Sequence, residues 1–421
     1  MEVKKMTDNK VKYEERMNRI NTAIALKEPD RVPIIPFAQC YPVLHAGHTM
    51  AEALYDANVA KDGIKKYLLE YEPDMGFNYY DLFAGQGPIM DKMGLKFIQW
   101  AGQKGSIVPD NCIHQFVEKE YLEEDEFAEY VQDQTGWIQR KYFPRCYENL
   151  KGIANMDLRG AVGWGFLPAM MQFANPEILE SIKTMTEIAP MVLGFYKEMA
   201  EFEVELEEMG FPVQYGATVC TAFDNISDTL RGTMGIMMDL FDQPEIVHQA
   251  IDMIYPSTIG SALAQMQNAI GKWVHIPLHK GMDGFMSPAQ YDEFYWPTLK
   301  GLIMAILDAG YTPYIYTEGK YDSRLERLTD LPDGKVVIHF ESVDMKEAKR
   351  IVGPHSCITG GFNGRLLESG TVDQVKDEVK RVLDIYAPGG GYMFDVNDTM
   401  DDCKPENVEA MFETVREYGK Y

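Results

Sequence analysis

Residues 311–364 decide the fold and read YTPYIYTEGKYDSRLERLTDLPDGKVVIHFESVDMKEAKRIVGPHSCITGGFNG. Two β-type runs, at 311–319 and 335–342, are each followed by a short helical pattern, at 322–331 and 344–353. The runs are apolar through most of their length, which is typical of strands buried on both faces of a sheet. The alternation of strand and helix therefore predicts parallel strands covered by helices.

The same alternation extends through the second half of the chain. It includes a strand run at 273–281, a final strand run at 390–398 and a final helix at 405–421. Weaker strand runs at 32–41 and 156–167 precede it. The pattern and the length predict a (β/α)8 TIM barrel with an N-terminal helical extension and insertions, whose chemistry would lie at the carboxyl ends of the strands. A doubly wound sheet is the alternative, although no GxGxxG turn follows the first strand.

The domain organisation follows from the absence of linkers. No Gly/Ser-rich or Pro-rich tract divides the 421 residues, so we expect one barrel domain over 1–421. Residues 1–30 predict an N-terminal helix, and 94–145 predict an insertion. A long helical pattern at 176–210 predicts a helix with a break near Pro190.

The charge of the chain excludes several classes of partner. Its 40 basic and 65 acidic residues give a net charge of −25. Such a surface repels nucleic acids and anionic membranes, so we expect neither as a partner. No run reaches the ~18 apolar residues that cross a bilayer, and no signal peptide is visible. The six scattered cysteines predict free thiols, and hence a cytoplasmic protein.

Charged residues at the predicted strand ends point to a metal site. Glu318 and His339 each end a strand run, and the two strands are neighbours in sequence. Asp395 ends the last predicted strand. A Glu, His and Asp set is acceptable for zinc or iron. We therefore predict Glu318 and His339 as catalytic metal ligands with Asp395 as the third, while Asp398 and His279 remain alternatives for the third position.

Five segments, distributed over about 30–415, together resemble the uroporphyrinogen decarboxylase superfamily. They are DRVPIIPF (30–37), LRGTMGIMMDLFDQPEIV (230–247), YDEFYWPTLKGLI (291–303), the Gly-Gly-Phe-Asn turn (360–363) and KPENVEAM (404–411). The resemblance implies a (β/α)8 barrel, in agreement with the alternation of strands and helices.

One departure from the family pattern separates its two branches. The decarboxylases carry an arginine-rich segment after the first strand, whereas residues 36–48 read PFAQCYPVLHAGH and contain no arginine. The resemblance therefore implies the corrinoid-dependent methyltransferases, which use zinc. Members that activate thiols have a His-x-Cys pair after one strand and a cysteine after the last. Here the corresponding segments, 316–318 and 394–395, read Tyr-Thr-Glu and Phe-Asp, and His339 falls one strand further along.

The replacement of thiolates by carboxylates implies a particular substrate. A zinc ion with harder ligands is more electrophilic and favours an oxygen, such as the ether oxygen of a methoxyl group. The resemblance thus implies an O-demethylase methyltransferase of anaerobic bacteria, which moves the methyl group of a methoxylated aromatic compound to Co(I) of a corrinoid (cobalamin). Since the chain has no DxHxxG-type cobalamin loop, a separate corrinoid protein would carry that cofactor.

The predicted substrate slot completes this interpretation. Trp164 and Tyr215 would form a flat apolar slot for an aryl ring, and His279 and Asn363 would bind a second oxygen on it. Four alternatives stay open: another methyl donor, a thiol acceptor, a decarboxylase, and a non-enzymatic barrel that serves a corrinoid protein as subunit or chaperone. The sequence is also compatible with a homodimer.

Overall fold

The structure, a computed structural model, describes residues 2–421, so Met1 of the predicted N-terminal helix lies outside the described residues. The strands are β1 (Ile98–Trp100), β2 (His114–Phe116), β3 (Tyr215–Thr218), β4 (Trp273–Leu278), β5 (Thr312–Lys320), β6 (Val337–Ser342) and β7 (Cys357–Gly360). The helices are α1 (Glu2–Ile24), α2 (Tyr41–His45), α3 (Met50–Tyr55), α4 (Ala57–Tyr71), α5 (Gly87–Met93), α6 (Phe127–Gln132), α7 (Gln134–Trp137), α8 (Phe143–Cys146), α9 (Phe166–Met171), α10 (Pro176–Glu208), α11 (Ala222–Ile226), α12 (Gly232–Asp242), α13 (Pro244–Met266), α14 (Pro288–Gln290), α15 (Trp296–Asp308), α16 (Leu325–Leu328), α17 (Met345–Ile351), α18 (Arg365–Ser369), α19 (Val372–Tyr386) and α20 (Pro405–Tyr418).

A parallel sheet forms the centre of the molecule. Strands β3 to β7 pair in chain order, and every pair is parallel. Three shorter segments close the sheet through single bridges, which join Ile358 to Tyr392, Ile34 to Phe394 and Gly76 to Val213, together with a hydrogen bond from Asp74 N to Ile34 O. These eight segments and the helices outside them confirm the predicted (β/α)8 barrel.

The predicted strands agree with the structure better in the second half of the chain than in the first. β4 and β6 lie inside the predicted runs and β5 ends one residue beyond its run, whereas the strand predicted at 156–167 is wrong. That segment forms 3-10 turns at Arg159–Ala161 and Gly163–Gly165 and then α9. Its glycines explain the difference, because Gly163 has a φ of +61°, a left-handed conformation that interrupts an extended chain.

Helix α10 is longer than the barrel that it covers. Its 33 residues correspond to about 50 Å of helix. The predicted break near Pro190 is wrong, because the helix continues through this residue. Pro190 is exposed, so water can reach the backbone carbonyl that loses its partner there. Residues 94–145, predicted as an insertion, contain β1 and β2, an antiparallel pair separate from the barrel sheet.

The barrel sheet is buried on both faces. All six residues of β4 and the four of β7 are buried, and β5 and β6 become accessible at their carboxyl ends, with Thr312 at the start of β5 half-buried. This burial explains the continuous apolar runs in the sequence. The carboxyl ends, where polar residues follow the strands, form the barrel mouth. No helix in the described part of the chain has the length and apolar character needed to cross a membrane.

Candidate active site

Two of the predicted residues meet inside the barrel, beneath its mouth. His339 on β6 and Asp395 are fully buried, and His339 Nδ1 lies 3.1 Å from Asp395 Oδ2. The same nitrogen lies 3.1 Å from Thr359 Oγ1. The Asp395 carboxylate also accepts hydrogen bonds from Phe37 N at 2.9 Å and Tyr314 OH at 3.3 Å. Asp395 thus orients the imidazole ring, as carboxylates behind metal-binding histidines commonly do.

A second contact fixes the plane of the same imidazole ring. Tyr316 stacks on His339, with ring centroids 3.9 Å apart and planes within 5° of each other. The remaining nitrogen, Nε2 of His339, lies 3.3 Å from the carbonyl oxygen of Asn397. The Tyr316 hydroxyl donates a hydrogen bond to the backbone carbonyl oxygen of Asp398 at 3.1 Å. Asp398 is exposed. Nδ1 of His339 therefore faces Asp395, and Nε2 of His339 faces the loop after the last barrel segment.

An aromatic layer continues around this pair. Tyr215 stacks on His275 with centroids 5.0 Å apart, and His275 is 5.6 Å from the ring of Tyr314. Phe37 contacts Tyr316 edge-on at 5.8 Å. Burial lowers the pKa of His275 to about 3, so this imidazole is neutral at neutral pH. The floor beneath the mouth is therefore aromatic and uncharged at this point.

Glu318 belongs to a different cluster, at the mouth itself. Its Oε1 lies 3.5 Å from Nε2 of His279, whose Nδ1 bonds Asp228 Oδ2 at 2.5 Å. Lys280 Nζ is 3.4 Å from the other Asp228 oxygen. Burial alone would lower the pKa of His279, but the Asp228 hydrogen bond and the charges of Glu318 and Asp224 raise it to about 9. Burial raises the pKa of the Glu318 carboxyl, which the nearby His279 opposes.

Asp224 lies buried under this cluster. Its carboxylate accepts a hydrogen bond from Tyr295 OH at 2.5 Å and one from the backbone N of Lys280 at 3.0 Å. Burial, with the neighbouring charge of Asp228, raises its pKa to about 6. A buried carboxyl with a raised pKa in a cleft is a common feature of catalytic centres. The mouth therefore concentrates carboxyl groups around His279.

Sequence reasoning missed three carboxylates of this region. Asp81 accepts a hydrogen bond from Tyr215 OH at 2.5 Å, and burial raises its pKa. It lies in the stretch PDMGFNYYDLFAG (73–85), whose pattern indicates a strand that leads into a loop, so the rule that selected Glu318 could have found it. Asp224 lies on α11 and Asp228 on the π turn that follows. The helical pattern alone did not show which of their faces meets the barrel.

The predicted substrate residues are not brought together. Trp164 is 95% exposed on a 3-10 turn, which corrects its predicted position at a strand end. Asn363 lines a separate cavity of about 700 Å³ with Glu341 and Asn397. Of the four, Tyr215 lies in the aromatic layer and His279 contacts Glu318. The turn around Gly163 accounts for the displacement of Trp164, because this segment never enters the barrel.

The predicted metal ligands do not surround a single point either. His339 pairs with Tyr316 in the strand register, so Glu318 lies two residues, or about 7 Å, further along β5. Among the side chains that the structure describes, no three of His, Cys, Asp or Glu are already grouped to hold an ion. The donor chemistry still fits zinc. His279 and His339 each have a carboxylate on Nδ1, and Glu318 lies near the carboxyl end of β5, the strand between β4 and β6.

Comparison with known proteins identifies relatives of the chain. Residues 172–418 match the family model of uroporphyrinogen decarboxylase. Curated relatives include the uroporphyrinogen decarboxylases of Pseudomonas fluorescens, 24% identical over 183 residues, and Xanthomonas euvesicatoria pv. vesicatoria, 25% identical over 189. These matches cover 42% and 43% of this chain and 50% and 52% of the relatives. The chain thus spans about half the length of the curated relatives it matches.

A solved structure is similar over nearly the whole chain. A methyltransferase from Methanosarcina mazei aligns over 95% of this chain and 98% of its own, with a TM-score of 0.59 and 14% sequence identity. At this identity the similarity establishes the fold. It agrees with the closed barrel and includes the first half, where the strands are shortest.

Proposed function

The chain belongs to the uroporphyrinogen decarboxylase family, and from this premise we propose that it is a corrinoid-dependent methyltransferase. It would take the methyl group of an aryl methyl ether and deliver it to Co(I) of a corrinoid carried by a partner protein. The chemistry of the barrel mouth supports this proposal, and a methyltransferase with the same fold is compatible with it.

The observation that carries the proposal is the negative charge of the barrel mouth. Besides the positive charge of His279, the negative charges of Asp224, Glu341 and Asp228 act on the Glu318 carboxyl, so carboxylates outnumber the histidine. Residues 36–48, after the first barrel segment, contain no arginine. A porphyrinogen with several carboxylates would be repelled by these groups, whereas a neutral ether would not. The charge therefore favours a neutral methyl donor.

The aromatic layer favours a donor with a ring. Tyr215, Tyr316 and His275 form this layer, and each keeps 7–8% of its surface accessible. Aromatic side chains bind a flat apolar ring by stacking and edge contacts. An aryl ring on this layer, with its ether oxygen toward Glu318, would leave the methyl group toward the open mouth. The partner's corrinoid could then approach the methyl carbon.

We propose zinc as the metal of this site, held by Glu318, His279 and His339. This assignment takes His279, not Asp395, as the third ligand, because Asp395 is occupied behind His339. Zinc would supply Lewis-acid stabilisation of the negative charge that develops on the leaving oxygen. The carboxylates of Asp228 and Asp395 hold Nδ1 of the two histidines, so Nε2 is the nitrogen that each ring presents.

The residues of the chain then have defined tasks. The aromatic layer orients the ring, and the paired carboxylates keep the two imidazoles from rotating. When the C–O bond breaks, its electron pair stays on the phenolate oxygen and the methyl group passes to Co(I). Because the oxygen charge develops only as the bond breaks, stabilising it raises kcat as well as kcat/KM.

A methyl-transfer assay tests the proposal. The purified chain is mixed with a reduced corrinoid protein and a guaiacol-like ether, anisole or a dialkyl methyl ether. We expect corrinoid methylation, followed by absorbance, and one phenol per methyl group with the aryl ethers. Dialkyl ethers should not react, since an alkoxide is a far poorer leaving group. Equal rates with both ether classes, or CO2 release from uroporphyrinogen without methyl transfer, would refute the proposal.

A further inference from the structure

A cavity of about 200 Å³ lies on the flank of the barrel, between α10, β3 and the end of α13. α10 contributes Tyr196, Met199, Ala200 and Glu203, whose spacing places them on one face of the helix. Tyr80, from the loop after the second barrel segment, completes the wall beside Tyr196. None of the proposed zinc ligands lines this cavity, and Tyr215 of the aromatic layer borders it.

The cavity contains a buried carboxylate that no basic side chain of the described residues pairs with. Glu203 is 5% exposed, and Asn78 Nδ2 donates a hydrogen bond to its Oε1 at 2.7 Å. Among the described residues, the charge that acts on it is that of Glu207, another carboxylate. Burial and Glu207 together raise the pKa of Glu203. A buried carboxylate is unfavourable unless a positive charge or several hydrogen bonds compensate it. Such a group in a cavity indicates a cationic ligand.

Two tyrosine rings line the same cavity as this carboxylate. The rings of Tyr80 and Tyr196 are inclined by 27°, with centroids 6.3 Å apart. Tyr80 is 36% exposed and Tyr196 47% exposed, so the cavity opens to solvent on their side. The faces of aromatic rings attract ammonium groups, and they bind alkylated ammonium ions especially well because these are weakly hydrated. The rings and Glu203 therefore offer complementary contacts to the same kind of ligand.

We propose that this cavity binds a small organic cation of the alkylammonium class, held by the Glu203 carboxylate and the faces of Tyr80 and Tyr196. The proposal does not depend on methyl transfer at the barrel mouth, so either can fail without the other.

Calorimetric titration of the full-length chain tests it. The probes are choline and its neutral isostere 3,3-dimethylbutan-1-ol. We expect choline to bind at least about tenfold more tightly than the alcohol, because only choline gains the charge and cation–π contacts. Glu203→Gln should remove this preference. Glu201→Gln is the matched control, because Glu201 is an exposed carboxylate on the same helix that pairs with Lys197, and it should leave the affinity within about twofold.

A second variant tests the proposal even if Glu203→Gln does not fold. Tyr196→Leu removes a half-exposed ring and keeps the buried carboxylate, and it should weaken choline binding by about fivefold. Equal affinities of the wild type for choline and the alcohol would overturn the proposal. So would an absence of choline binding at millimolar concentration, or choline binding that Tyr196→Leu leaves unchanged.

Discussion

Replacement of Asp395 by Asn perturbs the arrangement beneath the barrel mouth without changing its shape. In the wild type, one carboxylate oxygen accepts a hydrogen bond from Phe37 N, and the other faces Tyr314 OH and His339 Nδ1. In Asp395→Asn, the amide oxygen can still accept from Phe37, while the NH2 group faces the other two. His339 Nδ1 must then accept a hydrogen bond, so the ring carries its proton on Nε2, the nitrogen proposed to bind zinc.

The magnitude follows from the bonds that change. A hydrogen bond to a charged group contributes about 1.5–3 kcal/mol, and a neutral one about 0.5–1.5 kcal/mol. Two charge-assisted contacts, at 3.1 and 3.3 Å, become neutral. Asp395→Asn should therefore lower the free energy of unfolding by about 2–3 kcal/mol. Zinc affinity should fall by about 10–100-fold, the usual loss when the partner of a metal-binding histidine is altered.

Urea denaturation and competition with a zinc chelator measure the two effects. Asp402→Asn is a suitable control, because Asp402 is exposed and lies on the same C-terminal segment. The control should match the wild type in both assays. If Asp395→Asn unfolds at the wild-type urea concentration and keeps the wild-type zinc affinity, Asp395 does not orient His339 in the way argued above.

Two further predictions concern stability. Burial lowers the pKa of His114 from 6.5 to about 4, so as the pH falls through this range the unfolded chain takes up the proton before the folded chain does. The free energy of unfolding of the wild type should therefore fall by up to about 3 kcal/mol relative to His114→Phe. Urea midpoints that change with pH in the same way in both proteins would contradict this. Arg231→Met should lower the free energy of unfolding by about 3–5 kcal/mol, because it leaves Asp239 buried without the guanidinium that now bonds it at 2.5 Å. A free energy of unfolding within about 1 kcal/mol of the wild-type value, well below this range, would refute the assignment.

The fold was predictable where its signal is local. β4, β5 and β6 are largely apolar runs with glycine or polar residues near their ends. β4 and β6 lie within the predicted ranges, and β5 ends one residue beyond its range. The first barrel segments pair only through single bridges, at residues such as Ile34 and Gly76, so their register depends on contacts with distant strands. The glycine-rich segment at 156–167 resembled a strand with a turn, but the conformation of Gly163 bends the chain away from the barrel.

The candidate site was predictable in its residue types and not in its pairings. Charged side chains near the ends of buried runs identified Glu318 and His279, whereas His339, predicted at a strand end, lies inside β6. The partners that orient the histidines, Asp228 and Asp395, come from segments far away in sequence, so their roles appear only when the barrel closes. Whether a carboxylate binds a metal or supports a ligand depends on such contacts, and residue spacing does not contain this information.

The most direct test of the central claim is single-turnover methyl transfer by the wild type and Glu318→Gln, with zinc content measured on the same samples. The donor is a guaiacol-like ether labelled with 13C in its methoxyl group, and the acceptor is a Co(I) corrinoid protein. We expect the wild type to contain stoichiometric zinc and to transfer the label, while folded Glu318→Gln loses both the metal and at least about 100-fold in rate, as expected when several kcal/mol of Lewis-acid stabilisation is removed. Transfer by Glu318→Gln at the wild-type rate, or a zinc-free wild type that transfers the label, would contradict the account.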